Sequence, residues 1–132
     1  MIAGMKPVNL AAAFSSFSEH WSPRVAAELN GQQVRVAKLL GEFEWHFHEG
    51  EDELFLVHRG RLRIQYRERV GDAGSEREVV LGPGEFVVVP RGVEHRPIAE
   101  AEVEVVLFEP AATLHTGNVR CERTVDAFER LA

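Results

Sequence analysis

The sequence predicts an all-β protein, a barrel or sandwich carrying one short N-terminal helix, and three observations support that expectation. About eight short apolar runs alternate with Gly- and Pro-bearing turns at close spacing. Asn30-Gly31 stands between two such runs, and both residues tolerate the positive φ of a type I′ hairpin turn. Residues 61–67 alternate polar and apolar side chains strictly, which is the period of a half-buried strand.

Taken in order, residues 9–17 read as a short helix, with Asn9 as its cap and three alanines favouring it. Ser22-Pro23 breaks any continuation. Residues 24–29 and 32–40 form the Asn-Gly hairpin, and Gly41 separates it from a third strand through His46 and His48. Glu49-Gly50-Glu51-Asp52 reads as a tight turn into the run 53–57. Strand 61–67 follows, with Leu62, Ile64 and Tyr66 inward. A loop tip at 71–75, strand 78–81, the Gly82-Pro83-Gly84 turn and strand 86–89 come next. Pro90-Arg91-Gly92 closes that strand, residues 103–108 form a further one, and 124–132 is expected as a short helix or frayed end.

The chain has 132 residues, long enough for one domain with a core that needs no covalent staples. Its net charge of −6 is dispersed, whereas phosphate binding requires a basic stripe, so nucleic acid is not an expected partner. No run approaches membrane-spanning length, the N-terminus lacks a convincing cleavage site, and no membrane partner is expected. The single cysteine, Cys121, cannot close an intrachain disulfide, which fits a reducing cytoplasm. It is expected to be a buried or incidental thiol rather than a nucleophile.

Residues 41–60 hold the densest chemistry. On a strand, His46 and His48 point to one face with Cα atoms roughly 7 Å apart, given a rise of ~3.3 Å per residue. A hairpin would return the Glu53 carboxylate beside them. Two imidazoles and a carboxylate suit a first-row divalent metal; the same residues also read as surface histidines in an acidic loop.

Two segments read together favour the metal. Gly41-x4-His46-x-His48-x4-Glu53-x6-Gly60 and Gly84-x5-Pro90-x-Gly92-x2-His95 resemble the two motifs of the cupin superfamily. The first has one residue fewer before its first histidine, and the second has Ala99 in place of a terminal asparagine. The resemblance is to small single-domain, RmlC-like members. It implies a double-stranded β-helix (jelly-roll) barrel across residues 1–132, with an arm at 1–40, a core at 41–110 and a tail at 111–132. It also implies that His46, His48, Glu53 and His95 converge on a divalent transition metal. Fe, Mn, Ni, Co and Zn all accept such a ligand set.

Strand parity adds further expectations. Glu44, Phe55 and Val57 would point inward with the histidines, and Trp45, Phe47, Leu54 and Leu56 outward. That outer patch calls for a cover, either the N-terminal segment or a second copy in a homodimer. Glu44 and Tyr66 are the candidate catalytic groups, and the pocket lining is expected from Phe55, Val57, Leu62, Ile64, Tyr66 and Phe86. His20, His58 and His115 are expected at the surface. Arg59, Arg63 and Arg96 either reach the pocket mouth or form surface ion pairs. The expected partner is a small molecule, turned over by an enzyme that oxidises or isomerises an oxygenated substrate such as a sugar derivative. A non-catalytic binding module is the alternative.

Overall fold

The computed structural model describes residues 4–121, 123–124 and 128–131. In chain order the elements are α1 (Leu10–Ser15), β1 (Arg24–Leu29), β2 (Gln32–Glu42), β3 (Glu53–Arg59), β4 (Leu62–Arg67), a 3₁₀ turn (Ala73–Ser75), β5 (Glu76–Leu81), β6 (Phe86–Val89), β7 (Glu94–Pro110) and β8 (Glu129–Arg130). This is the β-rich, jelly-roll architecture the sequence predicts.

Local chemistry explains the first elements. The Asn9 side chain accepts the Ala12 N–H at 2.9 Å, which satisfies a donor that the first helical turn leaves open. Asn30 and Gly31 have φ of 50° and 76°, as a type I′ turn requires, and Leu29 pairs with Gln32 across it.

Strand β7 is the spine of the molecule. Its first part pairs with β4 (Tyr66 opposite His95, Ile64 opposite Pro97), and its second part lies between β2 and β3 (Val106 opposite both Val36 and Leu56). One layer thus runs β5-β4-β7 and the other β6-β3-β7-β2-β1, with β8 parallel to β1 at the edge. Between them lies a core that includes Ala37, Leu39, Phe55, Val57, Leu62, Ile64, Val105 and Leu107.

The outer face of the second layer is covered by α1. Phe14 and Ala13 pack on Val36, Val106 and Leu56, so the N-terminal segment covers part of the predicted apolar patch. Burying a phenylalanine this fully (1 % exposed) contributes about 2 kcal/mol.

Several expectations are corrected. Residues 43–52 form no strand; His46 makes only an isolated bridge to His95, with N–H···O distances of 3.0 and 2.8 Å. Gly41 does not end β2, which continues through a bulge to Glu42. Strand β7 begins at Glu94, well before residue 103. At the C-terminus, Glu129 and Arg130 form a strand, and residues 125–127 and 132 of the expected helix lie outside the described residues. Phe86 points outward at 62 % exposure, in register with Leu56 on the outer face, so it does not line the interior.

Candidate metal centre

Three elements bring the four motif residues together. His46 and His48 come from the 43–52 segment, Glu53 opens β3 and His95 opens β7, and all four side chains are buried. One ligand-type atom from each lies within 4.8 Å of every other, and the His46 and His95 ring centroids are 4.4 Å apart. Of the expected site residues, these four are brought together and Glu44 is not.

Hydrogen bonds fix which ring nitrogens face the centre. His46 Nδ1 lies 2.8 Å from the Glu44 carbonyl oxygen, and His95 Nδ1 lies 2.9 Å from that of Val93. A carbonyl can only accept, so in both rings Nδ1 carries the proton and the Nε2 lone pair points inward. His48 Nε2 and His95 Nε2 stand 3.2 and 3.4 Å from Glu53 Oε1. None of these three atoms has a hydrogen-bond partner. Each such orphan costs about 1–3 kcal/mol. Ligand atoms bound roughly 2.0–2.2 Å from one ion stand about 3 Å apart when adjacent. The spacing and the orphaned atoms therefore fit a cation, and the buried group could hold a divalent metal.

Electrostatics agree. Burial, with His95 adding to it, pushes His46 down to about 3, so its ring is neutral near pH 7. His48 is raised: burial pulls it down, but the Glu53 carboxylate outweighs that. Burial also works to raise Glu53, yet His48 and His95 together hold it well below the usual carboxylate range.

Behind Glu53 lies a buried ion pair that sequence reasoning missed. Arg35 Nη1 donates to Glu109 Oε1 at 2.7 Å and to the Thr113 carbonyl at 2.8 Å, both charged side chains being fully buried. Burial and the neighbouring Glu53 charge push Glu109 upward. A signal existed: Gln33 and Arg35 share the inward parity of Ala37 and Leu39, as Glu109 shares that of Val105 and Leu107.

The other candidates fall elsewhere. The Glu44 side chain faces solvent near Arg123, because the chain leaves strand geometry after β2 and parity fails there. Tyr66 is half-buried and lines a cavity of about 350 Å³ with Ile64, Val79, Val87 and Val93. His20 pairs with Glu102 at the surface, while His58 is half-buried, stacked on Phe14 and paired with Glu104. His115 is buried, contrary to expectation. Arg63 is held by Glu78 and Glu100, Arg96 by Gln65 and Glu42, and Arg59 is exposed. Trp45 is flanked by the guanidinium groups of Arg67 and Arg96, at 3.9 and 5.2 Å. Cys121 is a half-buried free thiol. Among the described residues, no helix is long and apolar enough to cross a membrane.

Comparison with known proteins agrees with this geometry. The family profile described as "Cupin domain" matches residues 32–110. An uncharacterized protein, YdbB, of Bacillus subtilis (strain 168) is 32% identical over 91 residues, covering 69% of this chain and 74% of the relative. The crystal structure of a cupin-2 domain containing protein from Shewanella frigidimarina superposes with a TM-score of 0.70 at 42% identity, over 78% of this chain and 93% of that one. Hydroquinone 1,2-dioxygenase from Sphingomonas sp. TTNP3, solved with 4-hydroxybenzoate bound, shares the fold with a TM-score of 0.63 at 16% identity, over 82% and 81% of the chains.

Proposed function

The chain belongs to the cupin family, and from that premise we propose that it is a metal-dependent enzyme acting on a small oxygenated molecule. His46, His48, Glu53 and His95 are its metal ligands. The convergence of three buried, otherwise unpartnered ligand atoms supports this reading most directly. Three neutral imidazoles and one carboxylate suit Fe, Mn, Ni, Co or Zn. A bound divalent ion supplies Lewis acidity and a fixed anchor for an oxygen ligand, which suits oxidation or isomerisation, with a sugar derivative among the candidate substrates. The chain's own residues supply the rest. The Glu44 and Val93 carbonyls set the tautomers of His46 and His95, and the Arg35–Glu109 pair lies behind Glu53. Tyr66, opposite His95 in register, lines the cavity of about 350 Å³, and there it orients the body of the substrate.

Elemental analysis of protein purified without added metal tests the ligand set. About one transition-metal ion per chain is expected, and His46→Ala should lose most of it. Equal content in both proteins contradicts the assignment.

A second reading is a non-catalytic binding cupin. It is favoured by the cavity of about 350 Å³, whose lining side chains are apolar apart from Tyr66. Ligand recovered chemically unchanged after prolonged incubation with the metal-loaded protein distinguishes it from the enzyme. Under either reading the protein acts in the cytoplasm as a homodimer. The exposed outer residues Phe86 and Val88 on β6, which among the described residues pairs only with β3, support the dimer.

A further inference from the structure

A small void of about 30 Å³ adjoins the cluster, and its wall is shared by His46, Glu53 and a residue from far along the chain, His115. The remaining wall is apolar except at Trp21, whose Nε1 already donates to the Leu40 carbonyl at 2.8 Å. His115 is 7 % exposed, its ring nitrogens make no well-formed hydrogen bond, and the backbones of Arg123 and Trp21 are the polar groups that act on it from nearby. Buried polar atoms are seldom left so. The ring is not in the group whose ligand atoms lie within 4.8 Å of one another, so it faces the site without belonging to the quartet.

The chain holds His115 there deliberately. Asn118 N–H donates to the Phe47 carbonyl at 2.9 Å, and Asn118 Oδ1 accepts the Phe47 N–H at 2.8 Å. Gly117, at φ 57°, lies so close that a Cβ would run into the Phe47 carbonyl oxygen and His46 Cδ2. Thr113 and Thr116 are buried on either side. This loop follows residue 110, beyond the segment that the cupin profile matches.

We propose that His115 is a ligand-positioning residue, hydrogen-bonding across the void to a water or a small oxygen- or nitrogen-donor ligand held at the His46/His48/Glu53/His95 centre. A water needs roughly 10–15 Å³ of such space, so the void admits a water or a ligand of about two or three atoms. Burial keeps the ring neutral, leaving it one N–H donor and one acceptor to offer. The inference rests on the metal reading above.

The test uses cobalt(II) as the metal and azide as the probe, with binding read from the visible absorption of cobalt. Wild type and His115→Phe should both hold one cobalt per chain. The variant should bind azide about tenfold more weakly, the equivalent of one lost hydrogen bond, and His115→Gln should recover most of the difference. His115→Leu serves the same comparison if the phenylalanine variant does not fold. Equal azide affinity in wild type and the apolar variant overturns the inference, as does loss of cobalt from the variant, which would make His115 a ligand. Failure of the wild type to take up cobalt overturns the metal reading itself.

Discussion

At the scale of single residues, buried imidazoles tie stability to pH. His46 is pushed down to about 3 and His115 to about 4, in both cases by burial first. In the unfolded chain each titrates near 6.5. Between these values each of these two rings binds more protons in the unfolded state than in the folded one, so the stability that they contribute falls as pH drops below about 6.5. In urea unfolding of the metal-free protein this loss between pH 7 and pH 5 runs against an opposite trend from the raised Glu109 and His48, so it is read by comparing variants. The apolar variant His115→Phe should flatten that dependence by on the order of 2 kcal/mol. A pH dependence as steep in His115→Phe as in wild type contradicts the burial of this ring. His48 acts on metal uptake instead: its raised value means a proton competes with the ion, so metal affinity should weaken steadily below neutral pH in a competition titration. Arg35→Met leaves Glu109 buried without its partner. It should cost about 3–5 kcal/mol in denaturant midpoint analysis, whereas a loss near zero would show that the pair is dispensable.

At the scale of elements, turns and covers give the clearest tests. Gly31→Ala places a side chain at φ 76° in the β1–β2 turn and should destabilise by about 1 kcal/mol. Phe14→Ala empties the contact between α1 and the outer face of Val36, Leu56 and Val106, with an expected loss of about 3–5 kcal/mol. Thermal unfolding checks both, and an unchanged Phe14→Ala would mean that α1 is not docked in solution. Strands β1 to β6 were legible because alternation and turn chemistry are local signals. The orientation of His46 and His48 was legible as well, although they lie outside any strand. A two-residue spacing still buried both, with Trp45 and Phe47 half-exposed between and beside them. Parity failed one turn earlier, at Glu44, where the bulge between Leu39 and Gly41 and the exit from β2 reset the direction of the side chains. His115 left no local trace. A loop without periodicity is buried only because Gly117 and Asn118 fasten it to a segment seventy residues away, at Phe47.

At the scale of the whole molecule, β7 joins the two layers and carries both His95 and Glu109, so the candidate centre and the core share one strand. The outer face retains exposed Phe86 and Val88 beside half-buried Leu54 and Phe108, beyond the reach of α1. If a second copy covers it, Phe86→Ser should shift sedimentation from dimer to monomer without loss of metal, and a monomeric wild type at micromolar concentration would remove the dimer. The proposed function depends on a cation gripped by the quartet. X-ray absorption at the edge of the bound metal reads that grip directly. Three imidazole ligands with oxygen completing the shell at about 2.0–2.2 Å is the predicted spectrum. A shell without imidazole scattering, or with sulfur at about 2.3 Å, would contradict it.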